Sequence, residues 1–232
     1  QRQMCIRDRM DVVFLMDRFG YAKTVDVSVY ERNKEAANAE YRHIFTCKNT
    51  DKICIFTDKG QMHLLKVLDL PYGKFRDKGI PIDNLSNYNS SEENFIYIIN
   101  LGAIIHSRLL FGTKTAMLKM VDGSEFDVAK RTTASTKLNE DDELLIVHAM
   151  TGEETVVMQS EKEMFLRIEA STIPEKKKGA VGVRGMKLGA GDALAAIYLL
   201  NAEDVVNIEV KGKEVALNRL RTAGRDTKGN KR

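Results

Sequence analysis

Between residues 11 and 168 the chain repeats one unit four times: an apolar run, a short polar turn, and a second apolar run. The first copy is "DVVFLM", "DRFG", "YAKTVDV" and the second "KICIF", "TDKG", "QMHLLKV". Two weaker copies follow, residues 108–120 around "TKTA" and residues 155–168 around "SEKE". Each reads as strand, turn, strand, which is a β-hairpin. Aligned on the turn, Gly20, Gly60, Ala116 and Glu163 fall in one column, at steps of 40, 56 and 47 residues. Only two of the four keep glycine. A tight hairpin turn wants a positive φ that Ala and Glu tolerate poorly, so the later two turns are expected to differ in geometry.

A second repeat lies between the hairpins. "KLNEDDEL" (137–144) and "KLGAGDAL" (187–194) share Lys, Leu, Asp and Leu at an offset of 50. Each runs into another apolar stretch. Four short strands per unit of this length is the spacing of propeller blades. The predicted architecture is all-β, with blades over about 11–50, 51–100, 101–148 and 149–200 and a partial one over 201–220. Gly212 sits in a tight turn of that last piece. Helical periodicity is scarce, and "ERNKEAANAE" (31–40) is the one candidate for a short helix or extended loop. Residues 221–232 read as a basic, flexible tail. Residues 1–10 ("QRQMCIRDRM") read as an extension with no structural role.

Composition narrows the function classes. There are 36 basic and 33 acidic residues, so the net charge of +3 does not announce nucleic-acid binding unless the basic residues cluster. No apolar run is long enough for a membrane-spanning helix, and the N-terminus lacks the apolar core of a signal peptide. Cys5, Cys47 and Cys54 form no CxxC, which fits a reduced cytoplasmic protein. His43, His63, His106 and His148 lack ligand spacing and read as surface or strand residues. The acidic turns Glu92-Glu93 and Glu140-Asp141-Asp142-Glu143 read as solvated, and no metal site is expected. No GxxxxGK[ST] loop occurs, and no nucleophile, base and metal set converges, so no catalytic residue is assigned.

The segments "IFTDKGQMHLLKVLDLP" (55–71), "DKGIPIDNL" (77–85), "KLNEDDELLIV" (137–147) and "KKKGAVGVRGMKLGAGD" (176–192) resemble, in order and spacing, the C-terminal domain of the bacterial type IIA topoisomerase A subunit. That family comprises the DNA gyrase A protein and its topoisomerase IV counterpart. The resemblance implies a β-pinwheel, a propeller-like disc of four-stranded blades whose neighbours exchange strands. It implies double-stranded DNA bent around a basic rim. It further implies a partner B subunit that hydrolyses ATP in a heterotetramer, with ATP and Mg belonging to that partner and to the cleavage domain. A cytoplasmic, chromosome-associated location follows. The gyrase protein carries a basic glycine-rich box in its first blade. The matching connector here, residues 30–40, has no glycine and three acids, which favours a topoisomerase IV-like role. None of the seven tyrosines matches the motif of the cleavage nucleophile, so the chain reads as a C-terminal fragment without activity of its own.

DNA wrapping requires phosphate contacts spaced along a curved face rather than base reading. Connectors recurring once per blade supply the candidates. These are Lys74, Arg76 and Lys78; Lys130 and Arg131; Lys176, Lys177, Lys178, Arg184 and Lys187; and Arg225 and Lys228 near the C-terminus, where Lys231 and Arg232 add charge. Gly20, Gly60, Gly179, Gly182 and Gly185 are the candidate turn glycines. Lys23, Lys119 and Arg167, on the second hairpin strands, could either reach phosphate or keep an edge strand soluble. The alternative for the whole domain is a β-propeller that binds protein and has no DNA role.

Overall fold

The structure, a computed structural model, describes residues 9–232. It contains four four-stranded antiparallel sheets and one two-stranded hairpin. The four repeated hairpins form the centre of the four sheets: Asp11–Met16 with Tyr21–Asp26, Lys52–Thr57 with Gln61–Lys66, Arg108–Thr113 with Met117–Asp122, and Thr155–Ser160 with Met164–Glu169. We number these blades 1 to 4.

Each blade adds one strand from its own unit beside the first hairpin strand: His43–Lys48, Phe95–Asn100, Leu144–Met150 and Leu194–Leu200. The fourth strand comes from the next unit along the chain. Ile80–Pro81 joins blade 1, Thr132–Ala134 blade 2, Val183–Arg184 blade 3 and Asn230–Lys231 blade 4. This is the strand exchange of a β-pinwheel. The blade boundaries read from the sequence place these exchanged strands one blade too late. The basic segment expected to be a flexible tail is likewise part of the sheet: Asn230 and Lys231 pair with Phe165 and Met164. Charge alone suggested a tail, but an edge strand pairs through its backbone and can leave its charged side chains in solvent.

The cores explain why the first hairpin strand reads as a continuous apolar run. Side chains alternate between the two faces of a strand. Val12, Phe14 and Met16 pack toward blade 2, while Val13 and Leu15 pack on the opposite face. Both faces are buried, so alternation of apolar and polar residues disappears. Successive clusters join blade 1 to 2, 2 to 3, 3 to 4, and blade 4 to the terminal hairpin Asn207–Val210 with Lys213–Ala216. The outer face of blade 1 is covered instead by two short helices, α1 (Val27–Arg32) and α2 (Lys34–Glu40), which bury Ala37 and pack Val29 and Tyr30 on Val13, Leu15 and Val25. Met10, expected to stand outside the domain, packs against the first core and its N–H donates to Asn49 Oδ1 at 3.0 Å. The rest of the proposed extension, residues 1–8, lies outside the described residues.

The turn column corrects one expectation. All four turn residues are left-handed: Gly20 at φ 89°, Gly60 at 76°, Ala116 at 67° and Glu163 at 67°. A non-glycine residue there costs about 1–2 kcal/mol. The cost is offset by a bonding scheme that the four turns share. Each turn residue donates its N–H to the carbonyl three residues back, at 3.0–3.2 Å. In three of the four turns that earlier residue also accepts the next strand's first N–H through its side chain: Asp17 from Tyr21, Thr113 from Met117 and Ser160 from Met164.

The acidic turns are not simply solvated either. Asp142 and Asp192, related by the offset of 50, each accept a backbone N–H from a hairpin turn, Thr115 and Lys162 respectively. Glu93 is buried and bonds His63 Nε2 at 2.8 Å. Glu143 binds Lys59 of blade 2 and Lys114 of blade 3, each at 2.8 Å, and this double contact holds its carboxyl down to about 2. A depressed carboxylate contributes stability that is present above its unfolded value and lost as pH falls through its folded one. Acid titration from pH 4.5 toward 2 is therefore expected to weaken the chain more than its Glu143→Gln variant, read by urea unfolding at each pH. Cys47 and Cys54 are free, and burial pushes both thiols up to about 12.

Candidate nucleic-acid interface

Each exchanged strand is preceded by a connector, and the connectors carry the candidate basic residues. All four exchanged strands attach to the same position, the outer edge of the second hairpin strand. Residues just upstream run parallel to that edge: Tyr72 bridges Thr24, Glu175 bridges Met120 and Thr222 bridges Arg167. On blade 2 the N–H of Leu64 donates to the carbonyl of Arg131 at 2.8 Å. The strand exchange thus repeats one basic segment per blade at an equivalent edge.

Within these segments Lys74, Arg76, Lys78, Lys130, Arg131, Lys176, Lys177, Lys187 and Lys228 are exposed. None of them forms a salt bridge among the described residues. Four candidates are engaged within the molecule, Arg131 among them through Nη2 to Leu85 O at 3.2 Å. Lys178 is half-buried, and its Nζ donates to Glu125 O at 3.2 Å and Thr133 Oγ1 at 3.1 Å. Arg184 forms a two-point pair with Asp226, which raises the guanidinium's pKa further and lowers that of the carboxylate. Arg225 donates to the carbonyls of Thr172 and Arg184. Of the candidate glycines, Gly20, Gly60 and Gly182 have positive φ. Gly185 does not, and its role is close packing: a Cβ there would lie 2.4 Å from Leu118 Cδ1. Gly179 faces open space and needs no glycine.

Two residues that the sequence left open between phosphate contact and edge protection do neither. Lys23 and Lys119, both the third residue past the turn, are buried, at 2% and 1% exposure. The Lys119 ammonium donates to the carbonyls of Lys177, Lys178 and Ala180 at 3.0, 3.2 and 2.7 Å. It also lies 5.4 Å from the Phe111 ring. Lys23 donates to the carbonyls of Phe75 and Asp77, between the rings of Tyr41 and Phe75. Burial lowers both pKa values, that of Lys119 to about 8. A cation bound to carbonyls from beneath turns the connector's backbone oxygens inward, while Lys176 and Lys177 extend to solvent. Arg167 holds the carbonyls of Asn218 and Leu220 similarly on blade 4. In blade 2 the same column holds His63, whose Nδ1 meets Thr132 Oγ1 in the exchanged strand.

Comparison with known proteins bears on the family and the fold. The model of the family described as DNA gyrase C-terminal domain, beta-propeller, matches residues 107–149 and 154–201. These segments are where the chain resembles that family. The match covers the hairpins and own-unit strands of blades 3 and 4. The DNA gyrase A protein of Lawsonia intracellularis is 27% identical over 94% of this chain, which spans 29% of that protein. The DNA gyrase A protein of Staphylococcus epidermidis is 26% identical over 94% of this chain and 26% of its own length. The chain therefore spans under a third of these relatives. Among solved structures, a C-terminal domain of DNA topoisomerase IV superposes with a TM-score of 0.84 at 22% identity, covering 97% of this chain and 73% of that one. The E. coli ParC C-terminal domain gives 0.77 at 14%, covering 96% and 94%. At these identities the structural likeness speaks for the fold.

Proposed function

We propose that this domain binds and bends duplex DNA as the C-terminal part of a type IIA topoisomerase A subunit, steering DNA for ATP-dependent strand passage. The observation that carries it is the placement of unpaired basic connectors at one equivalent edge of successive blades. Such an arrangement meets phosphates at intervals along a curved path and is tolerant of sequence. The protein-binding alternative would be favoured by connectors scattered over opposite faces, and the strand exchange argues against that. Double-stranded DNA is the proposed ligand, and the proposed context is a complex with an ATPase B subunit.

A topoisomerase IV-like role is the finer reading. Its support is in blade 1, where residues 27–40 fold into α1 and α2 and lie on the outer hydrophobic face. That segment offers a helical, mixed-charge surface where a glycine-rich basic loop would be needed for a supercoiling wrap. A topology assay with the parent protein and its B partner separates the two: decatenation without negative supercoiling is the expected result.

For DNA binding itself, the isolated chain is expected to bind duplexes of unrelated sequence with a steep salt dependence. Replacing Lys176 and Lys177 by Glu should lower affinity on the order of tenfold or more. The slope of log affinity against log salt should become shallower by about 2. Fluorescence anisotropy across a salt series reads both, and absence of salt-sensitive binding by the native chain would sink the proposal.

A further inference from the structure

The four hairpins differ in charge at one matched position. The sixth residue past the turn is Asp26 in blade 1, Asp122 in blade 3 and Glu169 in blade 4, but Lys66 in blade 2. The residues paired with them across the hairpin are Val12, Arg108, Thr155 and, in blade 2, Lys52. Three blades thus place a carboxylate beside a neutral or cationic partner, whereas blade 2 sets two lysines directly opposite. Like charges at directly opposed positions are destabilising. Lys66 also stands at the N-cap of the short helix Val67–Asp69, where no side chain caps the turn and where acids or hydroxyls are favoured. At the same place in blade 3, Asp122 accepts the N–H of Ser124.

The unfavourable pair faces a cavity of about 250 Å³. Lys52 and Lys66 line it together with Lys130 and Arg131 from the connector that leads into the exchanged strand, and Asp69 is the one acidic residue of a wall that is otherwise apolar. Four cations thus face one carboxylate. None of these five charged groups forms a salt bridge among the described residues. Arg131 is fixed from behind, its Nη2 donating to Leu85 O at 3.2 Å. The site is too small for an extended ligand and its excess charge is positive. An anion of phosphate size matches the volume of this cavity and its excess positive charge, with ammonium groups and a guanidinium among the residues that line it.

We propose that this cavity is a phosphate-binding site that seats one phosphodiester of duplex DNA on blade 2, a contact the other three blades do not have. The inference rests on the DNA-binding function proposed above, and it makes the rim unequal: blade 2 is an anchor, and the remaining connectors guide the duplex. Lys52 and Lys66 are new to the interface; only Lys130 and Arg131 belong to the basic connectors.

Lys66→Asp tests it, since it installs the type of residue the other three blades carry and gives Lys52 an opposite charge. Its thermal midpoint should equal or exceed that of the native chain. Its affinity for duplex DNA should fall about tenfold near 0.1 M salt, with the salt slope shallower by about 1 to 2. Lys34→Asp on α2 carries the same change of net charge and should alter affinity much less. Lys52→Gln provides a second probe of the cavity independent of Lys66. Titration with inorganic phosphate, followed by amide chemical shifts, separates the sources. Shifts at Lys52, Lys66 and Arg131 that vanish in Lys66→Asp support a phosphate site. If they occur while the native chain binds no DNA, the site stands and the DNA reading falls. Weakened DNA binding without free-phosphate shifts supports the proposal with DNA as the sole source. Equal DNA affinity for Lys66→Asp and Lys34→Asp, without phosphate shifts, overturns it.

Discussion

Replacing Gly182 by alanine is expected to destabilise the domain by about 3 kcal/mol or more. Gly182 has φ +106°, outside the region that residues with a Cβ adopt readily, and such strain costs about 1–3 kcal/mol. The added Cβ would also stand 2.6 Å from the carbonyl oxygen of Leu118 and 3.1 Å from its carbon. That oxygen belongs to the backbone of the blade 3 hairpin, so it cannot rotate away. Relief requires the connector to lift, and the next two residues, Val183 and Arg184, are the exchanged strand paired with Leu118 and Met117. The substitution therefore acts on the joint between units rather than within one blade. Gly179→Ala, three residues earlier, is the control: its Cβ meets nothing within 4 Å, so its effect should stay within about 0.5 kcal/mol. Urea unfolding of both variants checks this. Equal stability of the two would show that the exchanged strand does not constrain the fold.

The contrast between these glycines also marks what the sequence could reveal. Hairpins and blade count were legible because they rest on local signals: paired apolar runs, turn residues and a period. The order of motifs carried the family resemblance for the same reason. Which blade each connector's strand joins was not legible from local pattern, because two-residue strands such as Val183–Arg184 have no pattern of their own. Nor did the turn column reveal its geometry, since Ala116 and Glu163 are held left-handed by N–H donation to the carbonyls of Thr113 and Ser160, which spacing does not display. Lysines were the least legible residues of all. Lys23, Lys66, Lys119 and Lys176 look alike in sequence, yet one is an exposed connector charge, two are buried beneath connectors, and one faces a cavity. Their separation comes from position relative to the turn: third past it for the buried pair, sixth for Lys66. Aligning the four hairpins on that column would have singled out each set.

Lys119→Met is expected to loosen the connector of blade 3 and to cost about 2 kcal/mol at pH 7, without loss of the fold. Methionine keeps the length of the side chain and removes the donor from three carbonyls, those of Lys177, Lys178 and Ala180. A buried acceptor left without a partner costs about 1–3 kcal/mol, but this connector lies at the surface and water can replace part of the loss. Relief of the buried charge offsets a further part. Hydrogen exchange at residues 177–181 should accelerate while the blade strands stay protected. DNA affinity should fall on the order of tenfold, because Lys176 and Lys177 would no longer be held in a fixed arrangement. The pH dependence gives an independent check. Burial lowers the Lys119 pKa from 10.5 to about 8, the nearby Glu125 opposing it in part. Between those values the unfolded chain holds a proton that the folded chain has released, so this group makes the native protein more stable as pH rises from about 8 toward 10.5. The stability gap between native chain and Lys119→Met variant should therefore widen over that interval and stay flat below it. Unchanged exchange in the connector would mean that the ammonium does not hold the segment from beneath, whereas a gap that narrows would mean that the three carbonyls favour the charge more than burial disfavours it.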